Sequence, residues 1–221
     1  MKKAIRFQPM VFVTIIMVCI NTFVANAQSR YPKTGAVLQA LYLDEMKAHF
    51  TYLAFARKAL SEDYPNIAHL FVSLATSESI HGRNFKQLLT EMKVEVKEMV
   101  KPEIEVSSTK KNLKYATQVE LKEIDQRYPQ FIERIKPEQY EPAIRMITYA
   151  WKAEKQHRDL IEKIRSGTGF LFGILAQTIE KGPKQYFVCQ ICGSTLTEFP
   201  KDACPICQNP VLHYKEVEKI K

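Results

Sequence analysis

Two Glu-x-x-His steps constrain the fold of this chain more than any other feature of its sequence. The steps are Glu78-x-x-His81 and Glu154-x-x-His157, and each lies within a long stretch whose apolar residues recur at helical spacing. Residues i and i+3 lie on the same face of an α-helix. Each step therefore directs one carboxylate and one imidazole toward a common point, which predicts that two helices contribute to one polar site.

Single glutamates occupy the apolar faces of two further helical stretches, at Glu45 and Glu120. A charge in an apolar stripe is costly unless it is paired or bound to a metal. Four packed helices of this kind would place four carboxylates and two imidazoles around one buried point, the ligand set of a carboxylate-bridged two-metal centre. Oxygen-rich ligands with one imidazole per ion suit iron or manganese. Glu123, one turn beyond Glu120, would balance the positive charge that the metals gain on oxidation.

The apolar spacing predicts an all-α four-helix bundle within residues 28–166. The predicted helices span residues 34–62, 65–92, 110–135 and 138–165. The connection over residues 94–110 is long for a hairpin, so we expect it to cross the bundle. Pro129 should kink the third helix, because proline lacks an N–H group and crowds the preceding turn.

Several side chains near the predicted ligands have less certain roles. Tyr52 and Tyr128 fall close to the ligand faces, and the sequence leaves open whether they pack in the core or hydrogen-bond to the metal ligands. His49 follows Glu45 by four residues, and we interpret it as a helix-face residue or one that orients a ligand. His69 has no inward partner in the pattern, and we expect it to be solvated.

Four cysteines near the C-terminus predict a second metal site. They form two Cys-x-x-Cys pairs separated by eleven residues, Cys189/Cys192 and Cys204/Cys207. Two such pairs bring four thiolates into a tetrahedron that suits Zn²⁺ or a single iron. Gly193 after the first pair and Pro205 within the second favour a rubredoxin-like iron site, although the spacing alone also allows a structural zinc ribbon. We assign this module to residues 185–221 and a linker to residues 167–184.

The first 27 residues have the features of an export signal. Basic residues are followed by an apolar run, residues 10–20, and by the small-x-small sequence Ala25-Asn26-Ala27. An uncleaved membrane anchor is the alternative, but the run is shorter than the ~20 residues that a spanning helix needs. We therefore expect cleavage near Ala27 and an extracytoplasmic, periplasmic protein. The net charge of +8 is spread along the chain without a basic stripe, which argues against nucleic-acid binding.

Together these residues resemble the rubrerythrin family over nearly all of residues 34–221. The matching features are the inward Glu45, the two Glu-x-x-His steps, the acids Glu120 and Glu123, Tyr128-Pro129, Asn112-Leu113-Lys114 and the four cysteines. The resemblance implies a ferritin-like bundle with a small, β-rich, rubredoxin-like C-terminal module. It also implies a non-haem di-iron peroxidase that reduces hydrogen peroxide to water, with electrons from a donor protein entering through the four-cysteine iron.

The resemblance further implies roles for individual residues. His81 and Glu123 match the residues that alternate as ligands of one iron in the reduced and oxidised states. Tyr52 and Tyr128 match tyrosines that line the relatives' centre. Relatives form head-to-tail homodimers, and we expect the same here. Two departures are the export signal, which is unusual for the family, and Ser194, which replaces the tyrosine that commonly follows Gly193.

Two other functions remain compatible with parts of the sequence. A ferritin-like protein that oxidises and stores iron would use the bundle site but would not need an electron-entry module. A structural zinc-ribbon protein would use the cysteines but would not explain the inward carboxylates and imidazoles.

Overall fold

The computed structural model describes residues 30–165 and 185–220. Within the helices it gives the backbone but not the side chains of residues 120, 121, 123, 124 and 162–165. The predicted export signal, the predicted linker and the boundaries that separate them from the rest of the chain lie outside the described residues and stay predictions. No helix in the described ranges is long and apolar enough to cross a membrane.

The predicted all-α bundle is confirmed. Its helices are α1 (Pro32–Ser61), α2 (Pro65–Glu91), α3 (Thr109–Lys122), α4 (Tyr128–Ile135) and α5 (Glu141–Arg165). Proline lies in the first turn of α1, α2 and α4, where its missing N–H group has no helical partner to lose. The third predicted helix is divided into α3 and α4.

A π-helical segment, Glu123–Arg127, joins α3 to α4. It ends just before Pro129, whose nitrogen cannot donate to the preceding turn. The interruption that Pro129 predicts therefore takes the form of a wider turn, and a short 3₁₀ turn, Lys136–Glu138, closes α4. Such π segments are frequent near functional sites.

The segment between α2 and α3 runs along the whole length of α1, as predicted. Near the start of α1, the Gln39 side chain and the Lys97 backbone form two hydrogen bonds of 3.0 and 2.8 Å. At the end of α1, Glu62 accepts a hydrogen bond of 2.9 Å from the Thr109 backbone N–H. Helices α1 and α5 therefore run in one direction and α2, α3 and α4 in the other, which is the ferritin-like connectivity with one long crossover.

The C-terminal module is built on a small antiparallel sheet. Its strands are β1 (Phe187–Cys189), β2 (Thr195–Leu196) and β3 (Tyr214–Glu216), in the order β2-β1-β3. The module packs against α2 and α5. This placement puts the four cysteines on the same side of the bundle as the two histidines of the Glu-x-x-His steps.

Two apolar clusters fill the bundle and leave a polar layer between them. One cluster contains Phe55, Phe71 and Leu74, and the other contains Leu41 and Phe85. The glutamates and histidines of the predicted site lie along α1, α2 and α5 between these clusters. Apolar side chains therefore flank these residues on two sides, which strengthens the interactions between charged groups in the layer.

Candidate metal centres

The bundle brings four predicted ligands to one point. They are Glu45 of α1, Glu78 and His81 of α2, and Glu154 of α5, whose ligand atoms all lie within 4.8 Å of one another. All four are buried, with at most 6% of their surface exposed. Buried charges are costly unless they are paired or bound to a metal. The charges of these side chains must therefore be balanced by one another or by a bound cation.

His157 completes the second half of the site. Its Nδ1 lies 3.1 Å from Glu154 and 3.3 Å from Glu78, while Nδ1 of His81 lies 3.0 Å from Glu78 and 3.2 Å from Glu154. Each of these two glutamates thus faces both imidazoles. This geometry suits Glu78 and Glu154 for bridging two ions that each have one histidine.

The hydrogen bonds on the far side of each ring fix the tautomer. Nε2 of His81 donates to the Cys192 carbonyl at 3.1 Å. The Thr195 hydroxyl donates its own proton to the Gly193 carbonyl at 3.1 Å. It therefore accepts a hydrogen bond from Nε2 of His157, which lies 3.3 Å away. Both rings therefore keep Nδ1, on the side of the carboxylates, as the metal-binding atom.

Two buried carboxylate oxygens also fit a metal. Oε1 of Glu78 and Oε1 of Glu154 are inaccessible to solvent and form no well-oriented hydrogen bond with the described residues. Their polar neighbours are the imidazole Nδ1 atoms of His157, at 3.3 Å from Glu78, and of His81, at 3.2 Å from Glu154. Buried acceptors are nearly always satisfied in folded proteins. The oxygen and nitrogen donor set and these two unsatisfied atoms are what a pair of iron ions requires.

Protons compensate the charges of the layer in the metal-free protein. Burial raises the pKa of Glu45 to about 8, with help from the charges of Glu154 and Glu78. Burial alone would lower the pKa of His157, but Glu78 and Glu154 outweigh it and raise the pKa to about 9. Burial alone would raise the pKa of Glu154, but His157 and His81 outweigh it and hold this pKa well below its usual value. Metal binding must therefore displace protons from this site.

The four cysteines form the second site. Their sulfur atoms all lie within 4.8 Å of one another, with Cys189 Sγ 3.8 Å from Cys207 Sγ and Cys192 Sγ 3.5 Å from Cys204 Sγ. All four are buried and none forms a disulfide. Sulfur atoms that meet at these distances without bonding fit a tetrahedral site for one metal ion.

The two sites are joined by direct contacts between the module and the bundle. Besides the bond from His81 to the Cys192 carbonyl, the Ser77 hydroxyl donates to the Gly193 carbonyl at 2.7 Å. Gly193 has a φ of 78°, and a Cβ atom there would lie 2.3 Å from His81 Nε2. Only glycine permits this approach, because any side chain would strain the backbone and collide with the imidazole.

Comparison with known proteins identifies the family. The family model described as Rubrerythrin matches residues 37–165. The chain belongs to the rubrerythrin family. Rubrerythrin-2 of Clostridium acetobutylicum is 29% identical over 174 residues, covering 79% of this chain and 91% of the relative. Nigerythrin of Nitratidesulfovibrio vulgaris is 28% identical over 189 residues, covering 85% of this chain and 88% of the relative.

Solved structures agree with this assignment. Nigerythrin in its fully reduced, all-ferrous state aligns with a TM-score of 0.70 and 26% identity, over 95% of this chain and all of that chain. Bacterioferritin of Desulfovibrio desulfuricans aligns with a TM-score of 0.63 and 20% identity, which shows the fold alone. The bundle therefore carries the di-iron site of a rubrerythrin-family oxidoreductase, and the module carries its rubredoxin-like four-cysteine site.

The two tyrosines singled out in the sequence differ in their surroundings. The buried hydroxyl of Tyr128 donates a hydrogen bond to Glu45, and burial together with the Glu45 charge raises the pKa of this phenol well above its usual value. The ring of Tyr52 stacks on Phe71 with a centroid separation of 6.0 Å. Tyr128 thus contacts a ligand, and the Tyr52 ring packs in the core beside the site.

A cavity of about 300 Å³ reaches the carboxylates of this rubrerythrin-family site from the side of α1 and α3. Tyr52, Tyr128 and Tyr115 line it, and an ion pair between Arg127 and Asp44 lies at its wall. Sequence spacing could not predict this ion pair, because its members are 83 residues apart. The cavity provides a route by which a small molecule can approach the ligands.

Two predicted ligands are placed only by their backbone. Glu120 lies near the end of α3 and Glu123 begins the π-helical segment. Their side chains are not described, so their roles as metal ligands stay predictions.

The two remaining histidines of the bundle contact backbone carbonyls. Nδ1 of His49 lies 2.7 Å from the Ala75 carbonyl, which ties the ring to α2. The expectation that His69 is solvated was wrong. It is 1% exposed, and its Nε2 donates to the Val217 carbonyl at 2.8 Å, because the C-terminal module covers the outer face of α2.

The protons of the metal-free site predict a pH-dependent stability. The raised pKa of Glu45 stabilises the folded state. This stabilisation is complete at pH values below the pKa of Glu45 in the unfolded chain, and it is lost as the pH rises to about 8. The raised pKa of His157 contributes stability that is lost between its usual value of 6.5 and about 9. The lowered pKa of Glu154 has no effect in this range, since that group is ionised in both states.

We therefore expect the melting temperature of the metal-free protein to fall by roughly 5 °C or more between pH 6 and pH 9, corresponding to a loss of about 2 kcal/mol. Calorimetry of the chelated protein measures this change. The iron-loaded protein is the matched control, and its melting temperature should depend much less on pH in the same window. Equal slopes for the two forms would contradict the assignment of these protons to the metal site.

Proposed function

We propose that this rubrerythrin-family protein is an exported hydrogen peroxide reductase that receives electrons through its four-cysteine site. The reaction consumes one peroxide, two protons and two electrons and yields two water molecules. When bound, the di-iron centre supplies the two electrons to peroxide and the four-cysteine iron returns them one at a time. The observation that carries the proposal is the single imidazole, His81, that contacts both sites.

The bundle residues hold the ions, exclude water and position a proton. Glu45, Glu78, Glu154, His81 and His157 hold the ions, and their burial between the two apolar clusters excludes bulk water. Tyr128 holds a proton on its phenol oxygen next to Glu45, in a position to hydrogen-bond to an oxygen of the substrate.

Two further residues complete the proposed catalytic set. Tyr52 forms part of the cavity wall along which peroxide would enter. Following the family resemblance, we propose that Glu123 and His81 are alternative ligands of one ion, the glutamate in its oxidised state and the histidine in its reduced state. A ferric ion gains more from a carboxylate than a ferrous ion does, which gives the exchange its direction.

The connection between the sites is short. It runs from Cys192 Sγ through the residue's own backbone to its carbonyl, across the 3.1 Å hydrogen bond to His81 Nε2, and through the ring to Nδ1. Nδ1 lies among the carboxylates of the bundle site. A second contact, from His157 to Thr195, runs beside the first. This arrangement supports electron delivery from the cysteines to the bundle.

Gly193→Ala tests the docked arrangement. The added Cβ would meet His81 Nε2 at 2.3 Å and Ser77 Oγ at 2.6 Å. Overpacking of this kind costs about 1–3 kcal/mol, roughly 5- to 150-fold in a docking equilibrium. We expect peroxide turnover to fall by a similar factor while both sites keep their iron. Stopped-flow measurement of electron transfer from the four-cysteine site checks this, and an unchanged rate would contradict the proposed route.

Export and assembly are separate parts of the proposal. Export is supported by the basic, apolar and small-x-small pattern of residues 1–27. Mass spectrometry of the protein from a periplasmic extract should find an N-terminus at Gln28. The electron donor would then be an extracytoplasmic protein. We also propose a homodimer, by resemblance to the family dimers. Because the module contacts the bundle of its own chain, the electron route described above does not depend on the dimer, and light scattering in solution tests the dimer separately.

Catalytic peroxide consumption tests the function as a whole. The iron-loaded protein, given a chemical reductant that feeds the four-cysteine site, should consume many equivalents of hydrogen peroxide per chain. An iron-storage protein would instead take up added ferrous ions well beyond three per chain and would work without its cysteines.

A further inference from the structure

A chain of hydrogen bonds links helix α5 to one of the four cysteines. The Ser194 hydroxyl donates to Gln156 Oε1 of α5 at 2.9 Å. The Tyr214 hydroxyl lies 2.8 Å from Ser194 Oγ and 3.3 Å from Cys204 Sγ. The last contact places a phenol O–H group against one of the four sulfur atoms that would share the negative charge of the metal site.

The protons of this chain can be assigned from its acceptors. Gln156 presents its amide oxygen, because the backbone N–H of Thr195 also donates to that atom at 3.1 Å. The amide oxygen can only accept, so the proton of Ser194 points to it. Ser194 Oγ must then accept from Tyr214. The single proton of Tyr214 is shared between Ser194 and Cys204.

Burial keeps this proton in place. Ser194 is fully buried and Tyr214 is 5% exposed. The hydroxyl is enclosed between Ser194 Oγ and Cys204 Sγ and acts as a donor to both. Among the described residues the Tyr214 O–H group has two acceptors, Ser194 Oγ and Cys204 Sγ, so strengthening one of these bonds weakens the other.

We propose that Tyr214 sets the reduction potential of the four-cysteine site through its O–H···S bond to Cys204, and that docking on Gln156 weakens this bond through Ser194. The inference rests on the proposed function, in which this site holds iron and passes electrons. Reduction adds one electron from the donor protein, forms and breaks no covalent bond, and leaves the proton on the phenol oxygen. The Cys204 sulfur becomes more negative, so a hydrogen bond to it favours the reduced state.

The contact with Gln156 favours electron transfer toward the bundle. With the Ser194 proton donated to Gln156, Ser194 Oγ competes with Cys204 for the Tyr214 proton, so the O–H···S bond is weaker and the reduction potential is lower. The site then gives up its electron more readily to the bundle.

Two substitutions should shift the potential in opposite directions. Tyr214→Phe removes the donor and should lower the potential, whereas Ser194→Ala removes the competing acceptor and should raise it. We expect each to change the ratio of oxidised to reduced site at a fixed poise by about tenfold, which is 59 mV for a one-electron couple. Both changes preserve the shape of the module, since phenylalanine keeps the ring that packs on Phe199.

Potentiometric titration of the full-length, iron-reconstituted protein measures these shifts. Thr197→Val removes a hydroxyl from the same module outside this hydrogen-bond chain and should leave the potential unchanged. Shifts of the same sign in Tyr214→Phe and Ser194→Ala, or no shift in either, would overturn the inference even if peroxide turnover persists. A four-cysteine site that shows no redox activity after iron reconstitution would instead overturn the proposed function.

Discussion

Glu78→Ala is expected to empty the bundle site of iron. Oε1 of Glu78 lies 3.3 Å from Nδ1 of His157, and Oε2 lies 3.0 Å from Nδ1 of His81, so this one side chain serves both halves of the site. Even residues that only orient metal ligands contribute roughly 10- to 100-fold to metal affinity, and a bridging ligand should contribute more. Metal analysis should therefore find about one iron per chain, in the four-cysteine site, and peroxide reduction should be lost.

Two further variants separate loss of the ligand from loss of the fold. Glu78→Gln keeps the size and shape of the side chain but removes its charge, and it should lose iron in the same way. Glu91→Ala removes an exposed glutamate from the end of the same helix and should keep all three irons. Circular dichroism reports the helical content of each variant. Unchanged iron content in both Glu78 variants would contradict the assignment of the site.

Cys204→Ser is expected to separate the first turnover from all later ones. The Cys204 sulfur is fully buried and lies 3.5 Å from Cys192 Sγ, so its loss breaks the tetrahedral site. The bundle ligands are untouched. A bundle site that has been reduced chemically should still oxidise once with peroxide at close to the normal rate, whereas steady turnover with an external donor should be abolished.

Rapid mixing and a steady-state peroxide assay measure the two quantities on the same protein. Thr197→Val serves as the control for handling and should behave as the unmodified chain does. Sustained turnover in Cys204→Ser would show that electrons reach the bundle by another path. Loss of the first oxidation would show that the cysteine module supports the bundle site structurally.

The sequence predicted those parts of the site that depend on local spacing. The i, i+3 pairing of Glu78 with His81 and of Glu154 with His157 is a property of one helix, so the pattern alone places each pair on one face. The paired cysteines are likewise local. The crossover was predictable because its length excludes a tight turn.

Contacts between distant segments could not be predicted in this way. Tyr128 meets Glu45 across 83 residues, and His81 meets the Cys192 carbonyl across 111. The first pair depends on how α4 packs on α1, and the second depends on how the module packs on α2 and α5; no spacing rule encodes either. The same packing explains why His69 is buried. The charge and polarity of a side chain predict exposure only while no other element covers it.

Gly193 illustrates a signal that was present but interpreted too narrowly. From the sequence, this glycine indicates only a rubredoxin-like iron site. The structure shows an additional constraint, since the missing side chain also lets the module approach His81. A glycine that follows a metal-binding pair can therefore mark an interface as well as a turn.

Anaerobic mixing of the fully reduced protein with hydrogen peroxide tests the central claim most directly, if the absorbance of both iron sites is followed separately. The proposed function predicts that the bundle site oxidises first, that the four-cysteine site oxidises next through the His81 contact, and that peroxide is consumed in proportion to the electrons lost. A reduced protein whose two sites stay ferrous in the presence of peroxide would contradict it.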